Sequence, residues 1–187
     1  MRVLVCFLEE PSAKAMLKGL LPRILSTEWL VRYVVFEGKQ DLEKQLPRKL
    51  QAWRLPGCKF VILRDKNSGD CVVIRQRLIE KCCAAGRPDA LVRIAIHELE
   101  SWYLGELAAV EAGLGVSNLA RKQGSRKFRE PDTLANPSQE LRRLTTNRYQ
   151  KVSGSRAIGI HLSIENNRSQ SFRKFISGVK NIVMASA

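Results

Sequence analysis

Val3-Leu4-Val5-Cys6-Phe7-Leu8 runs straight into Glu9-Glu10-Pro11-Ser12. An apolar run without polar alternation is what a strand covered on both faces requires. The acids, proline and serine that follow stop the strand and start a helix, which Ser12 is placed to cap and which should reach about Leu25 through Ala15, Met16, Leu17, Leu20 and Leu21. The same unit then repeats. Val31–Phe36 reads as a second strand and Asp41–Trp53 as a second helix, interrupted near Pro47. Phe60–Leu63 and Val72–Ala85 form the third pair, with Gly86 closing the helix, and Leu91–Ile96 and Glu98–Ala112 the fourth, ended by Gly113. Strands separated by helices of this length are expected to lie parallel, joined by right-handed crossovers. The expected fold is therefore α/β and Rossmann-like, a mainly parallel sheet with helices on both faces, occupying residues 1–115.

Residues 116–187 read differently, as a basic helical extension packed on that core. Ser117–Glu130 is polar and lacks periodicity, as a loop or arm would. Asn136-Pro137-Ser138-Gln139 has the form of an N-cap, an N1 proline and a capping-box glutamine before a helix to about Leu144. Phe172, Phe175, Ile176, Val179, Ile182 and Val183 make the stripe of an amphipathic terminal helix docked on the core. The segment from Arg121 onward holds 14 of the 32 Lys and Arg but four of the 18 Asp and Glu, so it carries +10 of the formal +14. Clustered cations gain affinity for polyanions by releasing counterions, and DNA or RNA is the expected partner. Arg126, Lys127 and Arg129, together with Lys151 and Arg156 flanking a Ser153-Gly154-Ser155 loop, are the candidate phosphate contacts. A membrane surface is not expected, because the charge is not gathered on one amphipathic helix.

Each strand ends in acid: Glu9 and Glu10, then Glu37, then Asp65, then Glu98 and Glu100. In an open parallel sheet the carboxyl ends of the strands share one edge, and ligands bind there. Two carboxylates about 4 Å apart repel by about 4 kcal/mol at an effective dielectric of 20. A convergent group must bind protons, splay into water or hold a cation, and Mg²⁺ (or Mn²⁺) is the natural one. Glu9, Asp65 and Glu100 are the expected centre. His97 and His161 are the only histidines, too few for a zinc site. A phosphoacceptor receiver would need a lysine after a fifth strand, and no such strand is expected beyond Gly113.

Phe7-Leu8-Glu9-Glu10-Pro11-Ser12 resembles the hydrophobic-Val-Glu-Gly-Pro-Ser opening of Toprim domains, and Asp65-Lys66-Asn67 their Asp-x-Asp motif. Phe36-Glu37-Gly38-Lys39-Gln40-Asp41, Ser68-Gly69-Asp70-Cys71, Glu98-Leu99-Glu100-Ser101-Trp102, Asn136-Pro137-Ser138 and Tyr149-Gln150-Lys151 resemble more closely a bacterial Toprim-like family, domain of unknown function 4276. The resemblance implies a Toprim-like fold and Mg²⁺-dependent phosphodiester hydrolysis, distantly similar to the overcoming-lysogenization-defect nucleases. It implies an acid–base or metal role for Glu9 and metal binding by Asp65; Glu100, read from its place at an adjacent strand end, is the third catalytic candidate. Two departures stand out. Glu10 replaces the usual glycine, and Asn67 replaces the second aspartate; the candidate metal set is then Glu9, Asp65, Asn67, Asp70 and Glu100, with Asp70 the substitute for the missing aspartate or the site catalytically poor. An alternative alignment puts Glu37 in the place of the first glutamate; Glu9 is preferred because it follows the first strand, two strands before the aspartate.

The resemblance further implies an effector of bacterial anti-phage defence. It would work with an ATPase of the chromosome-maintenance or AAA type encoded nearby, since this sequence contains no Gly-x-x-x-x-Gly-Lys-Ser/Thr loop. The competing function is a catalytically weak nucleic-acid-binding subunit, and a homo-oligomer is compatible with either. Five cysteines without Cys-x-x-Cys spacing suit reduced thiols and a cytoplasmic protein.

Overall fold

A computed structural model describes residues 2–184. Its sheet comprises β1 (Arg2–Leu8), β2 (Trp29–Val35), β3 (Cys58–Asp65) and β4 (Leu91–Ala95), all parallel, in the order β2-β1-β3-β4. The α/β, Rossmann-like architecture expected from the alternation is what forms. The chain leaves β1 to build β2 on one side, then recrosses to build β3 on the other. The β1/β3 boundary is thus the switch point at which open α/β sheets form a crevice. Leu8 is in register with Leu63, so the residues leaving β1 and β3 emerge side by side.

The absence of alternation in β1 reflects burial of both faces. Leu4, Cys6 and Leu8, with Val61 and Leu63 of β3, pack under α1 (Pro11–Leu20). Val3, Val5 and Phe7, with Phe60 and Ile62, pack under α2 (Lys39–Ala52) and α3 (Cys71–Ala84). α2 is continuous through Pro47 rather than interrupted there. A proline inside a helix costs about 3 kcal/mol, and Leu42, Leu46 and Leu50, fully buried on both sides of it, hold the helix together.

The fourth predicted helix is two: α4 (Glu100–Leu104) and α5 (Leu107–Leu114). The break is built from side chains distant in sequence. Gly105 is packed so closely on Asn167 that a Cβ there would lie 2.1 Å from Asn167 Oδ1. Its carbonyl accepts from Arg168 N, and Gln123 Oε1 accepts from Leu107 N, the first amide of α5. The basic segment expected to be a loop contains a turn of helix, α6 (Arg126–Arg129), pinned by buried Phe128. It is followed by α7 (Pro137–Leu144), α8 (Lys151–Gly159) and α9 (Gln170–Met184).

Ser153-Gly154-Ser155, expected as a phosphate-contacting loop, lies inside α8 with Gly154 and Ser155 buried. A Cβ on Gly154 would sit 2.5 Å from the Tyr149 ring; further along, α8 crosses α1 at backbone distance, where a Cβ on Gly159 would sit 2.6 Å from Met16 O and one on Gly19 2.8 Å from Ile160 N. α9 docks as its stripe requires, with Phe172 and Phe175 against buried Trp102 at ring separations of 5.3 and 5.1 Å. Val183 apart, the stripe residues are buried or packed against the core. Among the described residues no helix is long and apolar enough to cross a membrane.

Candidate acidic site at the strand ends

Glu9 and Asp65 meet at the switch point. Glu9 Oε2 accepts the amide of Asp65 at 3.0 Å, and Arg64 Nε lies 3.8 Å from the same oxygen. Arg64 is buried and also binds Glu43, which holds its guanidinium beneath the acids. Burial raises the Glu9 pKa; the Asp65 amide and the Arg64 charge oppose the rise, and Glu10 adds to it. Asp65 is itself buried. Desolvation lifts its pKa well above the aspartate range, and the negative charges of Glu10, Glu9 and Glu100 lift it further, while the Leu99 amide works the other way.

Glu100 opens α4 and is 1% exposed. Its Oε1 accepts from Tyr149 Oη at 2.8 Å, whereas its buried Oε2 has no hydrogen-bond partner. Burial raises its pKa, against the opposing effects of the Tyr149 hydroxyl and Lys151. Glu10, the residue in place of a glycine, N-caps α1 by position, accepts from Ser12 Oγ and pairs with Lys151 Nζ at 2.6 Å. Ser12 therefore serves Glu10 and does not cap the helix.

Lys151, a candidate phosphate contact, lies at the acidic edge and is paired with Glu10. Burial disfavours its charge, but the hydrogen bond and charge of Glu10, then Glu100 and Asp65, outweigh that and raise its pKa. Tyr149 and Arg64 were not among the sequence candidates. They act from the α7–α8 connection and from β3; the one signal for Tyr149 is the Tyr149-Gln150-Lys151 segment that carries the family resemblance.

Asp70 N-caps α3, its Oδ1 accepting from Val72 N at 2.7 Å and Val73 N at 3.0 Å. Glu98 Oε2 accepts from Ser138 N at 2.8 Å and so caps α7, a task the sequence pattern assigned to Asn136 and Gln139; Asn136 makes no side-chain cap. Glu37 follows the edge strand β2 and is exposed. Asn67 takes a left-handed conformation (φ 52°) and lines a neighbouring cleft with His97 and Glu98. Arg126, Arg129 and Arg156 are exposed, and Lys127 is exposed but paired with Glu140 at 2.8 Å.

Carboxylate oxygens are the donors Mg²⁺ takes, and the unpartnered buried Oε2 of Glu100 points to a missing positive partner. In donor chemistry Glu9, Asp65 and Glu100 suit a divalent cation. Among the described residues, however, no three acidic, histidine or cysteine side chains are grouped closely enough to hold one as they stand. The arrangement can bind a proton or a cation, but a metal would need the carboxylates to draw together.

The family model described as Domain of unknown function (DUF4276) matches residues 8–180, a span that includes Glu9, Asp65, Glu100 and Lys151. No curated protein and no solved structure matches the chain. Since the match runs from the end of β1 into α9, the chain belongs to the family described as Domain of unknown function (DUF4276).

Proposed function

We propose that this chain is a Toprim-type, Mg²⁺- or Mn²⁺-dependent phosphodiesterase acting on DNA or RNA. The observation that carries the reading is the bond from the Asp65 amide to Glu9 at the β1/β3 switch point, with buried Glu100 close enough for its charge to act on Asp65 and all three carboxyls raised in pKa by burial. Glu9, Asp65 and Glu100 would hold the metal. When bound, it would polarise a phosphoryl oxygen and activate water for attack. Glu9, already positioned by the Asp65 amide, is the residue to take or return a proton. Lys151 offers a cation at the same edge to the phosphate. The resemblance of Glu9-Glu10-Pro11-Ser12 and Asp65-Lys66-Asn67 to Toprim motifs supports the same chemistry. It also supports an anti-phage effector coupled to an ATPase of the chromosome-maintenance or AAA type.

The test is cleavage of labelled DNA and RNA with Mg²⁺, Mn²⁺ or EDTA, with and without that ATPase. Metal-dependent cleavage lost in Asp65→Asn is expected. Cleavage that survives Asp65→Asn would sink the assignment. A second reading, a nucleic-acid-binding subunit with weak or no catalysis, is favoured by Asn67 in place of an aspartate and by the use of Asp70 as a helix cap. Binding without cleavage under every metal and partner condition would select it.

A further inference from the structure

Among the described residues, Glu100 Oε2 is the one buried carboxylate oxygen without a hydrogen-bond partner. The other oxygen of the same carboxylate, Oε1, accepts from Tyr149 Oη at 2.8 Å, and the bond is buried. A hydroxyl on a carboxylate makes one of the stronger protein hydrogen bonds. It therefore decides which oxygen of Glu100 is taken and which is left.

Tyr149 is held from several directions. Its amide donates to Thr145 Oγ1 at 3.2 Å, its ring meets Tyr103 edge-on at a centroid separation of 6.0 Å, and Ser155 Oγ lies 3.2 Å from its Oη. Gly154 leaves the ring its room, since a Cβ there would stand 2.5 Å from Tyr149 Cδ2. The turn that delivers Tyr149 runs through Thr146 and Asn147, both left-handed at φ 50° and 59°. That conformation is strained for a β-branched residue, and such strain persists only where the surroundings over-determine it. Two residues beyond Tyr149, Lys151 Nζ reaches Glu10 at 2.6 Å, so one short segment sets a hydroxyl on one acid and an ammonium on another. Packing alone does not require the first of these bonds: Tyr103, fully buried beside Tyr149, has a hydroxyl with no partner.

We propose that Tyr149 is a positioning residue of the acidic site: it occupies Oε1 of Glu100, keeps the carboxylate in one orientation and leaves Oε2 as the oxygen offered to a divalent cation. The proposal rests on the metal reading above. A ligand oriented before the cation arrives loses less freedom on binding, and removing an outer partner of this kind typically costs about 10- to 100-fold in metal affinity or activity.

The test is Mn²⁺ binding to the full chain, with free ion counted by electron paramagnetic resonance; the relevant site is the one that Asp65→Asn removes. Tyr149→Phe keeps the ring and deletes only the hydroxyl. It should stay folded, which a metal-free melt checks, and bind Mn²⁺ about tenfold more weakly. Tyr103→Phe deletes a partnerless hydroxyl beside it and should bind as the parent does. In a Glu100→Gln background Tyr149→Phe should add little further loss, because the two residues act through one contact. Parental Mn²⁺ affinity in Tyr149→Phe, even with a lowered melting temperature, would make the bond structural only; it would overturn the proposal and leave the metal reading standing. An equal loss in Tyr103→Phe, or an undiminished loss in the Glu100→Gln background, would overturn it in the same way. If Asp65→Asn removes no Mn²⁺ site, the metal reading and the proposal fall together.

Discussion

Asp65 and Lys151 hold opposite ends of the electrostatics of the acidic edge. A folded-state pKa raised above the unfolded one stabilises the fold below the unfolded value, and that contribution is lost as the pH rises through the folded value. An unfolded aspartate titrates near 3.9, and folded Asp65 lies well above the ordinary range. Glu9 and Glu100 shift in the same direction. In EDTA, Asp65→Asn should therefore match the parent below about pH 4 and become increasingly more stable than it toward neutral pH. Mg²⁺ should reverse the order: the parent gains melting temperature with the logarithm of metal concentration, and Asp65→Asn gains little. Thermal melts across pH, with and without Mg²⁺, check both halves. Lys151→Gln removes the cation paired with Glu10. Its ammonium is partly exposed, 43% at the side chain, so the metal-free loss should be only about 1 kcal/mol. A double-mutant cycle with Asp65→Asn should show part of that loss recovered, because the two charges interact.

The crossing of α1 and α8 brings Lys151 to Glu10, and it depends on glycine. Gly159→Ala would put a methyl 2.6 Å from Met16 O. Backbone cannot yield as a side-chain tip can, so a loss of about 1–3 kcal/mol is expected in denaturant titration. The Mg²⁺-dependent gain should shrink with it as Lys151 shifts. This element also marks what the sequence could tell. The strands were legible because unbroken apolar runs such as Val3–Leu8 require burial on both faces, and the acids after them located Glu9, Asp65 and Glu100. Contacts distant in sequence were not legible: Asn167 against Gly105 divides α4 from α5, and Met16 against Gly159 brings α8 onto α1 at backbone distance. Competing uses of one residue type were equally hidden. Asp70 and Glu98 are carboxylates at the right edge, yet both are helix caps, since an acid before a helix satisfies amides as readily as metal.

At the scale of the whole molecule the formal charge is +14, yet Glu9, Glu10, Asp65 and Glu100 act on one another at one edge of the sheet. Nucleic-acid affinity and the acidic site should then be separable. Glu9→Gln removes a negative charge facing the phosphate, so it should leave affinity unchanged or raise it while abolishing any cleavage. Affinity should fall steeply with salt, because each phosphate neutralised releases condensed counterions. The cations of α6 are not equivalent in this. Lys127 is held by Glu140 at 2.8 Å, and a phosphate must compete with that carboxylate. Arg126 and Arg129 are exposed and have no such partner among the described residues. Arg126→Ala and Arg129→Ala should each lower affinity more than Lys127→Ala does, uniformly across sequences, as backbone contacts require. Each should also flatten the plot of log affinity against log salt by about 0.7 to 0.9 per lost contact. Anisotropy titrations at several salt concentrations measure both quantities. A slope unaltered by the two arginine substitutions would place the nucleic acid on another face of the molecule.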